Sequence, residues 1–206
     1  MLKFLSIKSN ISTGSRIFHL IKDSAALLFL MILLGACESG QKEPLVLFDF
    51  ESESCLDELH WKCHTLYSIS DEHAAHGGAS LKLEMYPSPY PGLSPVLTHR
   101  NWQGYGSFCL EVYNPMPYPV MLTLRIDDKK EALEYTDRYQ KTIQIQPGAN
   151  SVKIPLDSLK TSETLRPLNL KTIHRFLVFM VNPETHHVLH LDYFRLEPVI
   201  APINPV

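Results

Sequence analysis

No Cys-x-x-Cys pair occurs in the 206 residues, which removes the usual thiolate zinc site. The chain also lacks Gly-x-Ser-x-Gly, a phosphate loop and a dinucleotide fingerprint. The hydrolase and nucleotide chemistries carried by those motifs go with them. Glycoside hydrolysis needs a carboxylate pair at a defined gap, and the adjacent Asp127 and Asp128 diverge on a strand. No block of like charge marks a tail or a steering patch. Long stretches of helical periodicity, internal repeats and low-complexity tracts are absent too.

What is present begins with a leader. Lys3, Lys8, Arg16 and Lys22, against Asp23, precede the apolar run Ala25 to Leu34. A basic start, a short apolar core and small residues after it make a secretory signal. The run is shorter than the roughly 20 residues of a membrane span. Its end, Leu33-Leu34-Gly35-Ala36-Cys37, resembles the bacterial lipobox. That resemblance implies a signal peptide over residues 1–36 and a lipid, such as palmitate, on Cys37. Residues 37–44 would be a tether, and the protein would sit in the bacterial cell envelope, anchored to a membrane outside the cytoplasm. The leader carries a charge of +3, so of the net −3 the remainder holds −6. An acidic balance argues against nucleic acid as a partner. Cys55 and Cys63 are close enough in sequence to close a small loop in an oxidising compartment. Cys109, within Phe108-Cys109-Leu110, reads as a buried free thiol.

From Leu45 onward apolar residues alternate with polar ones. The pattern predicts strands at 45–51, 66–70, 80–85, 107–113, 120–126, 142–146, 151–154, 175–181 and 188–196. Gly, Pro and Asn mark the turns, as in Pro147-Gly148-Ala149-Asn150. Helix is expected only as single turns near 156–160 and 168–173. Regular short strands of this kind predict an all-β fold, a two-sheet antiparallel jelly-roll β-sandwich over residues 45–198 with a C-terminal tail at 199–206.

Several segments in order carry a further likeness. They are Phe48-Asp49-Phe50-Glu51, then Trp61, then His76-Gly77-Gly78-Ala79-Ser80-Leu81-Lys82-Leu83. Pro147-Gly148-Ala149-Asn150 follows, leading into Val152-Lys153-Ile154-Pro155-Leu156, and Leu191-Asp192-Tyr193-Phe194-Arg195-Leu196 closes the series. This series resembles the galactose-binding-like sandwiches, and among them carbohydrate-binding module family 11. The resemblance implies a non-catalytic domain that holds glycans on one sheet. It also implies neighbouring first and last strands whose acids hold a structural calcium, here Glu51 and Asp192, with Asp49 beside them. Calcium takes six to eight oxygen ligands.

Arg125 and Asp127 share parity, opposite the apolar stripe Val120, Leu122, Leu124 and Ile126. Tyr135-Thr136-Asp137-Arg138-Tyr139 begins the returning strand. Sugars need charged groups for paired hydrogen bonds and flat rings for their C–H faces. Arg125, Asp127, Tyr135, Arg138 and Tyr139 are therefore the candidate glycan contacts, with Tyr90 on a proline-stiffened loop. Alanine at Asp127 or Arg138 is expected to abolish glycan binding and leave stability nearly unchanged. The competing reading is a solvated hairpin laced by surface ion pairs. Trp102 is read as a core plug. The nine histidines after residue 36, His60/His64 and His186/His187/His190 included, are read as ordinary exposed or core side chains. The resulting expectation is a membrane-anchored lipoprotein that binds a cell-wall or extracellular glycan, with no enzymatic activity. One rival is a protein-binding or assembly lipoprotein, similar to the complex I intermediate-associated proteins, whose protein partner the sequence does not identify. Another is a small lyase or hydrolase on the same fold.

Overall fold

The computed structural model describes residues 42–60, 63–131 and 134–199. The signal peptide, Cys37 with most of the tether, Trp61 and the tail beyond Val199 lie outside the described residues. Ten strands follow in chain order: β1 (Leu45–Phe48), β2 (Thr65–Ser70), β3 (Ser80–Met85), β4 (Gly92–Leu93) and β5 (Tyr105–Asn114), then β6 (Val120–Asp127), β7 (Tyr139–Ile145), β8 (Gly148–Pro155), β9 (Arg175–Phe179) and β10 (His187–Pro198). Helix among the described residues is limited to short 3-10 segments at Glu53–Glu58, Tyr135–Asp137 and Leu156–Ser158. The first two of these and β4 have no counterpart in the sequence reading. The turn expected at 168–173 is not helical. No helix of the described residues is long and apolar enough to cross a membrane.

Two antiparallel sheets result, as the period-two pattern requires. One runs β2-β3-β10-β5-β8, with β1 also on β10; the other runs β4-β9-β6-β7. β10 is the spine of the first. His187–Leu191 pairs with β3, Phe194–Leu196 pairs with β1, and β5 lies along the opposite edge. The first and last strands are thus neighbours. A register shift between Asp192 and Arg195 breaks the ladder, and Tyr193 sits there at φ +49°.

The core lies between the sheets. Leu189, Leu191, Phe194 and Leu196 of β10 face Leu122, Leu124, Ile126, Phe176 and Val178 of the other sheet, all within one cluster. Phe48, Phe50, Phe108, Phe176 and Phe194 pack with ring centroids 5.2 to 6.5 Å apart. Each such ring, fully buried, stabilises the fold by roughly 1.5–3 kcal/mol. Trp102 is a core plug, stacked 5.3 Å from Phe108. Its indole N–H donates to the His99 carbonyl at 3.2 Å, so the polar end is satisfied. A Cβ on Gly92 would meet the Val178 carbonyl at 2.2 Å, which is why glycine lets β4 lie against β9. Cys55 and Cys63 are free thiols rather than a bridge, and Cys109 is a buried free thiol. Burial pushes the Cys109 thiol above its ordinary pKa.

Candidate functional site

The outer face of the four-stranded sheet is built row by row. Arg125 at the middle of β6 has Gln140 of β7 on one side and Leu177 of β9 on the other. Two residues along, Asp127 pairs with Arg175; two residues back, Thr123 lies between Thr142 and Phe179. Cross-strand partners share a face, so these side chains form one surface. Tyr135 and Arg138, from the segment entering β7, rise at one border. Tyr90 and Val181 rise at the other. Together with Arg125, Gln140, Leu177 and Phe179 they line a cavity of about 240 Å³.

The rings are arranged for contact. Tyr135 is 56% exposed and Tyr90 48%. Tyr90 stands edge-on to Phe179, centroids 5.9 Å apart. Arg138 lies 4.1 Å over the Tyr135 ring, and its Nε donates to the Tyr135 carbonyl at 3.2 Å. The Gln140 amide donates to the Tyr135 hydroxyl at 3.1 Å. The ring is therefore held upright from below.

Asp127 is on this face but not on the surface. It is completely buried. Arg125 Nε and Nη2 donate to its two oxygens at 2.9 and 2.8 Å, and Arg175 Nε donates to the second oxygen. Its place as a direct glycan contact is corrected on this ground: the carboxylate is buried and its two oxygens already accept three N–H donors from two guanidiniums. Burial, then repulsion from Arg125, lowers the Arg138 pKa.

Tyr139 is also corrected. It pairs with Ile126, which points into the core, so it must point inward too. It is 8% exposed and belongs to the core cluster. Burial raises its pKa. Arg125, Tyr135, Arg138 and Tyr90 thus come together, while Asp127 supports them from below and Tyr139 leaves the site. Gln140, Leu177, Phe179 and Val181 complete the lining and were not foreseen. β9 is apolar on both faces, so alternation gave no sign of which side faces the cavity.

A second ion-pair group fixes the adjoining loop. Arg166 Nη1 and Nη2 donate to Asp128 at 2.7 and 2.9 Å, and the Asn169 amide adds a third bond at 2.7 Å. Burial pushes Asp128 up, but Arg166 and the Asn169 amide outweigh it and hold the carboxyl below its ordinary range. Asp137 accepts from Arg166 and from Lys129. These acids are taken up internally and do not face the cavity.

The expected calcium acids sit together, at the loop before β3. Asp192 Oδ2 accepts the Ala75 and His76 amides at 2.7 and 2.9 Å, and its Oδ1 accepts the Tyr193 amide. Glu51 accepts the Gly78 and Ala79 amides. Gly77 there has φ +64°, and a Cβ would strike the Glu51 carboxylate. Asp49 Oδ2 meets His76 Nδ1 at 2.9 Å, leaving only its buried Oδ1 without a partner among these oxygens. N–H donors aimed at the carboxylates do not fit a calcium cage, which needs converging oxygens. In this arrangement Asp192 and Glu51 cap loop amides, and Asp49 holds the His76 ring.

No protein-family model matches the chain, and no curated protein matches it by sequence. Solved structures do. A family 11 carbohydrate-binding module from Clostridium thermocellum, in complex with a β-1,3-1,4-mixed-linked tetrasaccharide, superposes with TM-score 0.58 at 14% identity, over 76% of this chain and 96% of that one. The fold is that of the family 11 modules. An exo-β-agarase superposes on the family 11-like sandwich with TM-score 0.62 at 18% identity, over 79% of this chain and 25% of the agarase. An arabinose-bound α-L-arabinofuranosidase does so with TM-score 0.52 at 13% identity, over 82% and 28%. The chain therefore spans about a quarter of each enzyme and nearly all of the module.

Proposed function

We propose that this protein is a lipoprotein, anchored through Cys37 in the bacterial cell envelope, whose sandwich binds a glycan without catalysis. The observation that carries the reading is the cavity in which Tyr90 and Tyr135 flank the guanidiniums of Arg125 and Arg138. Tyrosine rings suit the C–H faces of a sugar, and fixed guanidiniums suit its oxygens. The structural likeness to a module solved with a tetrasaccharide supports this reading. The lipobox resemblance supports the anchor.

The charge of the site narrows the ligand. Arg125, Arg138 and Arg175 gather about one carboxylate, Asp127, and no acid lines the cavity among the described residues. The excess of guanidinium favours sugars bearing a carboxylate or a sulfate ester, both of which accept paired N–H donors. A glycan array on the full chain tests this, with polygalacturonate and sulfated galactan set beside neutral β-glucan and agarose. Retention of the acidic polymers above the neutral ones is the expected result. Equal retention removes the charge preference, and no retention of any polymer overturns glycan binding itself.

A further inference from the structure

We propose that Glu72, His73 and His190 form a binding site for a zinc-type divalent transition metal, on the outer face of the six-stranded sheet and apart from the arginine cavity. On β10 Leu189 and Leu191 point into the core, so His190 between them points outward. It is nevertheless buried, because the loop between β2 and β3 folds over it. Asp192 pins that loop through the Ala75 and His76 amides. One ligand atom from each of Glu72, His73 and His190 then lies within 4.8 Å of the others. Two imidazoles and a carboxylate are a donor set that zinc takes. Calcium and magnesium prefer oxygen alone.

The imidazole geometry agrees. The His73 and His190 ring centroids are 4.8 Å apart. Bond lengths place two imidazoles on one tetrahedral zinc roughly 5 Å apart, centre to centre. His73 reaches this position with φ +56°, a left-handed backbone that a non-glycine residue seldom adopts. Its ring lies flat on Tyr113 at 3.5 Å.

The proton inventory points the same way. The Ser80 hydroxyl donates to the Glu72 carbonyl at 2.7 Å. Its oxygen is then an acceptor for His190 Nδ1, 3.2 Å away, so Nδ1 carries the proton. Nε2 keeps its lone pair. Metal-binding histidines are commonly held this way, with the second ring nitrogen donating to a fixed oxygen. A cavity of about 490 Å³, lined by His73, Tyr113 and His190, borders the two imidazoles. It leaves an open side for a water or another fourth ligand, as sites with three protein ligands do.

The test uses the full untagged chain in detergent, stripped of metal and titrated with cobalt(II) and zinc(II). One equivalent of cobalt should give visible d–d absorption that zinc abolishes, and zinc should raise the melting midpoint. His73→Ala and Glu72→Gln, both at exposed positions, should each weaken zinc at least tenfold. Ser80→Ala should weaken it ten- to a hundredfold through the lost orientation of His190. His186→Ala, a surface control, should change nothing. Absence of a cobalt spectrum overturns the proposal. So does zinc affinity that is unchanged in both His73→Ala and Glu72→Gln, because the ion then sits elsewhere.

Discussion

Asp127 lies directly beneath Arg125, each of its oxygens accepting one nitrogen of the same guanidinium, at 2.9 and 2.8 Å. The aspartate aims the arginine rather than meeting a ligand. This reverses the expectation that its removal leaves stability nearly unchanged. Asp127→Ala strands Arg125, whose side chain is 12% exposed, and partly strands Arg175. The cost should be about 3 kcal/mol, at the lower end for breaking a buried pair. A urea denaturation curve measures it; a loss within a few tenths of a kcal/mol would show that the acid is not buried as described.

Arg138→Ala should behave in the opposite way. Its guanidinium rests on an exposed ring, and among the described residues no carboxylate forms an ion pair with it. Stability should change by less than about 1 kcal/mol. Retention on an acidic polysaccharide in affinity electrophoresis should be lost. Retention by the unaltered chain should also weaken as salt rises, because the attraction is screened.

The Asp128–Arg166 clamp sets the acid limb of stability. The folded pKa of Asp128 is held below its ordinary value. A carboxyl shifted downward stabilises the fold above its unfolded pKa, about 3.9. That contribution is lost as pH falls through the lower folded value. Denaturation midpoints taken from neutral pH downward should therefore fall steeply below about pH 4. Asp128→Asn should be less stable at neutral pH by about 2 kcal/mol, discounted because Arg166 is partly exposed. It should also show a shallower acid limb. Parallel curves for the two proteins would remove the clamp from the explanation.

Calcium should leave the melting midpoint of the metal-stripped protein unmoved. Asp192 and Glu51 already accept loop amides, so the ion would have to displace five N–H donors: those of Ala75, His76, Gly78, Ala79 and Tyr193. A rise at millimolar calcium would mean that the loop turns its carbonyls inward instead.

Strand positions were legible because apolar residues alternate between sheets that each keep one face wet. The outward parity of Arg125 and Asp127 followed from that stripe. Depth did not: nothing local to Asp127 reveals that Arg175, 48 residues later, arrives across the sheet to cover it. The Tyr139 error has a different origin. The loop before β7 hides the register, and the side of its first residue is dictated by Ile126 across the ladder. Counting back from Ile145 and Ile143 by twos reaches Tyr139 and gives the inward parity. His190 shows the limit most plainly. Its relation to Glu72 and His73 exists only because β10 crosses beside β3, which no spacing rule in a single chain reveals.

The placement of β10 has a consequence for how the protein comes into being. It joins β3 and β1 on one edge to β5 on the other, yet it is the last of the described strands in chain order, residues 187–198. Until the ribosome has released that segment, the six-stranded sheet exists only as separate hairpins and pairs with open edges. Assembly of the larger sheet therefore waits for the last of the described strands to be made.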